Sequence, residues 1–294
     1  MDAHGDRLDA LRAALREAGV DGFVLPRTDM YGSEYLPAGE ERVAWLTGFT
    51  GSAARVVVLP ETAAVFTDGR YTLQVEAEVD TGRFETPHLV HEPPATWLEA
   101  HAPDGLKLGY DPFLHLAADL DRLEKALAAR GGAMIPLTPN PIDGLWRDRP
   151  DPPAAPMVNH PLAHAGESSA DKRRRMLEAA RERGADGLFV SAADGVAWLL
   201  NIRGGDVPFN PLCLGLALLL PDERAVLLTD PAKKPAGFAF EDGQIGLHPL
   251  AERRALYAEL AREGTRLLVD PAVTHAGLKD ELTTAGVAVV DGQD

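Results

Sequence analysis

The chain has 294 residues, 45% of them hydrophobic, which is enough for a sizeable core and, by length, for about two domains. Its formal net charge of −16 argues against binding to a nucleic-acid backbone, which needs clustered Lys and Arg. No apolar run approaches the roughly 18 residues that span a bilayer, and the single cysteine, Cys213, excludes an intrachain disulfide. We therefore expect no nucleic-acid or membrane partner. Because residues 1–6 lack the basic and apolar regions of a signal peptide, we also expect a cytoplasmic protein.

The first half of the chain alternates helical and strand-like patterns. Residues 7–18 carry apolar side chains at helical spacing, and a turn leads from them into a short apolar run typical of a buried strand. The tripeptide Ala-Trp-Leu at 44–46 follows, then a glycine-bearing loop at 47–52 and two strand-like runs, ARVVVLP and AAVFTD. Residues 107–112 (KLGYDP) predict a further strand, and a helix and a last strand come after it.

The second half repeats this order. Residues 172–183 match 7–18, Ala-Trp-Leu recurs at 197–199, a glycine-bearing loop follows at 201–206, and RLLVDP at 266–271 corresponds to KLGYDP. A proline-rich stretch at 149–156 separates the two copies and is typical of an extended linker. The sequence therefore predicts a duplicated α/β fold, with two domains at residues 1–158 and 159–294, each a mixed β-sheet flanked by helices.

The common catalytic signatures are absent from the sequence: it has no phosphate-binding loop, dinucleotide fingerprint, nucleophile elbow or paired-histidine zinc helix. Two histidine pairs, His88/His91 and His160/His164, have spacings that would align them on a helix. Neither segment has a helical pattern, because prolines follow or interrupt both. We interpret all four side chains as solvated loop histidines.

Three other features have structural interpretations. The basic run Lys172–Arg175 resembles a targeting or anion-binding patch, but in so acidic a chain it is better read as the solvated face of an amphipathic helix. Cys213 lies in an apolar run, as an inert core residue would. In the turn at 68–71, Asp68 is placed to cap the next helix, while Arg70 has two interpretations, pairing with a carboxylate or contacting a substrate.

The two tryptophan helices and the loops after them are more informative. Trp45 and Trp198 lie in apolar helical stretches, where a core role is expected. The loops 47–52 and 201–206 occupy equivalent places in the two copies and combine glycines with polar and aromatic side chains. Because glycines let a backbone approach another surface closely, these loops suit an interface or a ligand channel.

Three stretches together resemble a known family: SEYLPAGEERVAWLTGFTGSAA, AVFTDGRYTLQVEAEVD and GVAWLLNIRGGDVPFNPL. They resemble the N-terminal two domains of three-domain Xaa-Pro aminopeptidases, which belong to the creatinase and prolidase-like metallopeptidases. Relatives such as prolidase and creatinase have a single N-terminal domain, so the duplication favours the three-domain type. The resemblance implies two tandem creatinase N-terminal-like domains followed by a pita-bread catalytic domain. That third domain holds two divalent metals, usually manganese, through two Asp, one His and two Glu, and cleaves the bond before a proline.

None of those metal-ligand motifs can be placed on these residues, so we assign no catalytic or metal residue and no cofactor to the chain itself. It is predicted to be an inactive N-terminal region that shapes access of proline-containing peptides and supports assembly, with a homodimer expected from the resemblance. Since such N-terminal loops can approach the active site, the candidate substrate-channel residues are Trp45, Phe49, Arg203 and Asp206. The alternative is a free-standing, non-catalytic protein-interaction module.

Overall fold

The chain divides into two compact units in a computed structural model that describes residues 3–293. The first unit comprises the chain up to Thr28 together with Ala38–Asp151, and the second comprises Asp29–Pro37 together with the chain from Pro152 onward. Within residues 3–293, no helix combines the length and apolarity that a membrane crossing requires.

The first unit is built around a five-stranded sheet. Its helices are α1 (Ala3–Glu17), α2 (Arg42–Thr47), α3 (Thr72–Glu78), α4 (Pro94–His101), α5 (Ala117–Ala128) and α6 (Pro141–Leu145). Its strands are β1 (Gly22–Pro26), β2 (Ala54–Val58), β3 (Ala63–Thr67), β4 (Lys107–Tyr110) and β5 (Ala133–Pro136). The sheet order is β3-β2-β1-β4-β5. The hairpin β2–β3 and the pair β1–β2 are antiparallel, whereas β1–β4 and β4–β5 are parallel.

Helices cover both faces of this sheet, which explains why its central strands are apolar throughout. Successive residues of β1 point to opposite faces: Phe23 joins the core cluster that includes Leu8 and Leu11 of α1. Val24 joins a second cluster, on the other face, that includes Trp97 of α4. The predicted mixed sheet flanked by helices is confirmed for this unit.

The second unit repeats the arrangement with one additional strand in its main sheet and a separate two-stranded ladder. Its helices are α7 (Leu162–Ala165), α8 (Ser169–Glu182), α9 (Ala193–Leu199), α10 (Arg253–Arg262) and α11 (Ala276–Thr284). Its strands are β6 (Val158–Asn159), β7 (Gly187–Val190), β8 (Ile202–Arg203), β9 (Leu216–Leu219), β10 (Ala225–Thr229), β11 (Ile245–Pro249), β12 (Arg266–Val269) and β13 (Ala288–Asp291). The main sheet has the order β11-β10-β9-β7-β12-β13, and β6 and β8 form a small separate ladder.

Equivalent strands occupy equivalent places in the two sheets, so the predicted duplication is confirmed. The Asp-Pro steps that we matched in sequence end the parallel strands β4 and β12, and each aspartate closes the same turn. Asp111 accepts the backbone N–H of Phe113 at 2.9 Å, and Asp270 accepts that of Ala272 at 2.8 Å. The units differ at one sheet edge, where β11 runs parallel to β10 and the first unit has only isolated bridges to β3.

A short stretch of the N-terminal half belongs to the second unit. Within Asp29–Pro37, the ring of Tyr31 packs against a small apolar cluster of Ala193, Val207 and Leu214. The Tyr31 carbonyl accepts the backbone N–H of Ala193, the first residue of α9, at 3.3 Å. The sequence analysis placed this stretch inside residues 1–158, and no pattern in it signalled the transfer.

Candidate functional site

The loop after α2 forms a cap on its own unit. Gly48 ends the helix with φ +83° and donates its N–H to Ala44 at 2.9 Å, a left-handed cap that glycine adopts without strain. Thr50 follows, and its backbone N–H and hydroxyl both donate to the Glu78 carboxylate at 2.8 Å. Burial alone would raise the pKa of Glu78, but these hydrogen bonds, with one from Gln74, lower it. The loop is therefore fastened to α3 by a charged carboxylate.

Phe49 lies fully inside the first unit. It has no exposed surface, and its ring meets the edge of Tyr71 at a centroid distance of 5.9 Å. A Cβ added at Gly51 would lie 2.3 Å from the Phe49 ring, so glycine is required for that close approach. The side chain proposed to line a channel thus contributes to the core of this unit.

Trp45 is half-buried between a cation and a second indole. Arg7 of α1 donates to the Trp45 carbonyl at 2.5 Å and places its guanidinium carbon 4.8 Å from the ring centroid. Trp146, which follows α6, stacks on the same ring at 5.7 Å and an interplanar angle of 23°. Trp45, which lies in α2, thus contacts both α1 and the segment that follows α6.

The equivalent loop of the second unit packs just as closely against its own backbone. Asn201 turns the chain at φ +50°, and a Cβ added at Gly204 would lie 2.8 Å from the Leu212 carbonyl and 2.9 Å from the Cα of Cys213. The next residue, Gly205, has nothing closer than 3.5 Å. Gly204, but not Gly205, is therefore fixed by packing.

Asp206 forms a buried ion pair with a residue that the sequence analysis missed. Its side chain has no exposed surface, and Lys233, whose side chain is 5% exposed, places its ammonium nitrogen 2.7 Å from Oδ2. The carboxylate also accepts the backbone N–H groups of Leu214 at 2.7 Å and Ala155 at 3.2 Å. The pair therefore fastens the glycine loop, the following strand segment and the proline-rich linker together.

Arg203 is half-buried, and its Nη1 donates to the carbonyls of Ala197 and Ile202 at 3.0 and 2.8 Å. It thus satisfies a carbonyl in the last turn of α9, where such groups lack helical partners. Within residues 3–293 no carboxylate oxygen lies within 4 Å of it. Of the four predicted channel residues, Trp45 and Phe49 lie in the first unit and Arg203 and Asp206 in the second. Their role toward a substrate stays a prediction.

The expectation of a solvated face holds for only half of the basic run in α8, and the expectation of a core role for the neighbouring Trp198 is wrong. Lys172 and Arg173 are buried, at 3% and 1% exposure, whereas only Arg174 and Arg175 face solvent. Arg173 is held by the Glu223 carbonyl, the Ser169 hydroxyl and the Asp242 carboxylate. Trp198, expected in the core, is 40% exposed.

Lys172 and Trp198 reproduce the arrangement of Arg7 and Trp45. The Lys172 ammonium donates to the Trp198 carbonyl at 3.0 Å and lies 4.8 Å from the ring centroid. Sequence held a signal for this, because the matched helices place Arg7 opposite Lys172. Lys172 also donates to the Asn201 side chain at 2.6 Å, and burial lowers the pKa of its ammonium.

The histidine pairs show no metal-binding geometry. Within residues 3–293, no three His, Cys, Asp or Glu side chains are grouped so that they could hold a metal ion. His88 and His91 lie in a turn with ring centroids 4.3 Å apart. His164 lies on the four-residue helix α7, contrary to the expectation that this segment is not helical.

Two smaller expectations have different outcomes. Asp68 does not cap α3, because its carboxylate accepts the Arg70 backbone N–H and guanidinium within the turn itself, the latter at 2.7 Å. Arg70 is therefore engaged by that carboxylate. Cys213 is fully buried, and burial raises the pKa of its thiol to about 11, as an inert core residue requires.

Comparison with known proteins places both units in one family. Residues 7–145 and 148–294 each match a creatinase/prolidase N-terminal domain. Aminopeptidase P2 of Arabidopsis thaliana is 31% identical over 284 residues, which is 93% of this chain and 39% of that protein. A probable Xaa-Pro aminopeptidase P of Fusarium vanettenii is 34% identical over 229 residues, 76% of this chain and 37% of that protein.

A solved structure extends the similarity to the whole chain. The X-prolyl aminopeptidase of Caenorhabditis elegans, described as a cytosolic enzyme with a di-nuclear active site, matches with a TM-score of 0.88 and 26% identity. The match covers 100% of this chain and 50% of that one. The chain thus spans 37 to 39% of the length of the two curated relatives above and half of the solved one. The two matched N-terminal domains together account for nearly all of these 294 residues. The chain belongs to the Xaa-Pro aminopeptidase family, through two tandem creatinase/prolidase N-terminal domains.

Proposed function

We propose that these domains are the non-catalytic N-terminal region of a Xaa-Pro aminopeptidase and that they control which peptides reach its catalytic domain and support its assembly. The observation that carries this proposal is the match of the entire chain to half of an X-prolyl aminopeptidase. The full enzyme would release an N-terminal residue that precedes proline. That bond is a tertiary amide without an N–H, so peptidases that bind an extended strand through that donor reject it.

The metal chemistry belongs outside these residues. The solved relative has a di-nuclear active site, yet the described part of this chain groups no three suitable ligands. Its residues therefore do not fit the metal centre, and no step of hydrolysis is assigned to them. We place the two divalent metals, with manganese as the expected ion, in the remaining part of a full-length enzyme. The description of the relative as cytosolic supports a cytoplasmic location, and a homodimer remains part of the proposal.

The first test asks whether these two domains alone bind manganese or hydrolyse a peptide. The purified 294-residue chain is incubated with MnCl2 and a Xaa-Pro-Xaa tripeptide, and free N-terminal amino acid and bound manganese are measured. We expect neither product release nor stoichiometric manganese. Release that EDTA abolishes would contradict the non-catalytic role.

The second test asks whether these domains control which peptides reach the catalytic domain. In an enzyme that joins these domains to a catalytic domain, Arg203→Ala is compared with Arg262→Ala, an exposed arginine of α10, using short and long proline-containing peptides. Arg203→Ala should change the ratio of kcat/KM between the two lengths, while Arg262→Ala leaves it unchanged. An unchanged ratio for Arg203→Ala would remove Arg203 from the proposal. Phe49→Ala is less informative, because Phe49 is fully buried and its loss destabilises the unit.

A further inference from the structure

The loop between α9 and β9 in the second unit is longer than its counterpart in the first. Six residues (48–53) separate α2 from β2, whereas sixteen (200–215) separate α9 from β9. Because β2 and β9 hold the same place in their sheets, the first unit shows that this fold closes without the extra residues. Loops added to a common scaffold are where binding functions concentrate. The extra residues are therefore not needed for the fold, and a function is expected of them.

Phe209 lies at the tip of this loop in a strained turn. Its φ is +65°, which bulky side chains rarely adopt, and the Asn210 N–H donates to the Pro208 carbonyl at 2.8 Å. A hydrogen bond between residues two apart closes a γ-turn, and the form with positive φ at its centre is the rare and strained one. Strain of this kind is concentrated at active sites and ligand clamps. The turn nevertheless leaves Phe209 89% exposed to solvent.

The base of the loop and one side of the ring are held in place. The Asp206 backbone N–H donates to the Leu212 carbonyl at 3.1 Å, and the Asp206 carboxylate is held by Lys233. Tyr35, which belongs to the same unit, meets the Phe209 ring edge-on at a centroid distance of 5.4 Å and an interplanar angle of 64°. Because backbone and ring are positioned in advance, binding through this ring loses little conformational entropy.

We propose that Phe209 contacts an apolar side chain of the peptide substrate, beyond the proline, and so favours peptides that carry such a side chain there. This inference rests on the proposed function of the two domains. One aromatic side chain buries about 150–250 Å², whereas a stable protein–protein interface buries about 800 Å² on each partner. A single ring at the tip of a loop is therefore too small to hold a second copy, and it matches one side chain of an extended peptide. Asp206 then acts by positioning the loop, and Phe209 makes the contact.

The test uses an enzyme that joins these domains to a catalytic domain. Its substrates are the hexapeptide Ala-Pro-Ala-Ala-Ala-Ala and four variants, each with one phenylalanine at positions three to six. At least one variant should be cleaved with a kcat/KM about fivefold above that of the parent, and Phe209→Ala should bring that ratio to about one. Leu73→Ala, which removes an apolar side chain of similar exposure (82%) from α3, is the control and should leave the ratio unchanged.

Other contacts of the ring give different results. An equal loss of kcat/KM for all five peptides in Phe209→Ala would place the ring against the catalytic domain, and a loss of dimer in analytical ultracentrifugation would place it against a second copy. Either result overturns the inference, as does an original enzyme that cleaves all five peptides alike. The proposed function survives these results if Arg203→Ala still changes the ratio between short and long peptides, whereas hydrolysis by the purified 294-residue chain contradicts the proposed function itself.

Phe209→Gly tests the strain separately from the activity. Glycine adopts φ +65° without a clash of Cβ, so Phe209→Gly should have a higher urea midpoint than Phe209→Ala, although both should lose the preference for phenylalanine. Phe209 is exposed, so neither substitution opens the core. Equal midpoints would refute the strained turn on which the inference depends.

Discussion

Lys233→Met tests how far the second unit depends on its buried ion pair. Methionine keeps most of the side-chain volume but removes the cation, so Asp206, with no exposed side-chain surface, is left as a buried and unpaired carboxylate. Removing one partner of such a pair costs about 3–5 kcal/mol. Because Leu214 and Ala155 still donate backbone N–H groups to the carboxylate, we expect the lower end, about 3 kcal/mol.

The assay uses the single cysteine as a local reporter. Cys213 is fully buried beside the ion pair, so thiol labelling during a urea titration measures opening of the second unit. With a slope of about 2 kcal/mol per molar urea, a loss of about 3 kcal/mol lowers the labelling midpoint by about 1.5 M. Lys234→Met, at the exposed neighbouring position, is the matched control and should shift the midpoint little.

A second substitution separates charge from packing. Adding Asp206→Asn to Lys233→Met neutralises the stranded carboxylate and should recover at least about 1 kcal/mol. The reasoning is refuted if Lys233→Met and Lys234→Met differ by less than about 1 kcal/mol, or if the double variant is no more stable than Lys233→Met alone.

Three further predictions follow from other features. Gly204→Ala should destabilise the second unit by about 2 kcal/mol in urea unfolding, because the added Cβ would lie less than 3.0 Å from backbone atoms. Gly205→Ala should change the free energy of unfolding little, and equal effects of the two substitutions would contradict the packing argument. The Cys213 thiol should react with DTNB at pH 8 on the order of 100-fold more slowly in the folded chain than in guanidinium, and rapid stoichiometric labelling of the folded chain would contradict its burial. Burial alone would raise the pKa of Asp119, but Arg55 and then Arg122 lower it in the folded state. The ion pair therefore stabilises the folded state at pH values above the unfolded pKa of about 4. This stabilisation is lost as the pH falls through the lower pKa of the folded state. Asp119→Asn should therefore be less stable than the original chain at pH 7 by urea unfolding, and the difference should shrink as the pH is lowered below about 4. A pH-independent difference would argue against the ion pair.

Much of the fold could be predicted because its signals are local or repeated. The repeated order of helix, strand, Ala-Trp-Leu and hairpin located the two sheets, since each strand is a short apolar run bounded by turn residues. The Asp-Pro steps marked the ends of matching parallel strands for the same reason. The transfer of residues 29–37 to the second unit had no such signal, because it depends on contacts with side chains more than 150 residues away.

The candidate site was harder to predict because its charged groups are satisfied over long distances in sequence. A hydropathy pattern places Lys172 and Arg173 on a solvated face, yet their partners, such as Asn201 and Asp242, lie 29 and 69 residues further along the chain. The partner of Asp206 is 27 residues away. Sequence could name the loops as unusual, but it could not show that Phe49 and Asp206 are buried within their own units.

The route of Asp29–Pro37 also affects how the chain can be divided and made. These residues are synthesised long before Ala193, Val207 and Leu214, the apolar side chains against which Tyr31 packs, so their native partners are missing until most of the second unit has been translated. A separately expressed fragment 152–294 would lack the nonapeptide and leave that small cluster exposed to water, although a cut at the linker is the obvious choice from the sequence. The second unit can therefore complete its own packing only with a piece of the chain that precedes it by more than a hundred residues.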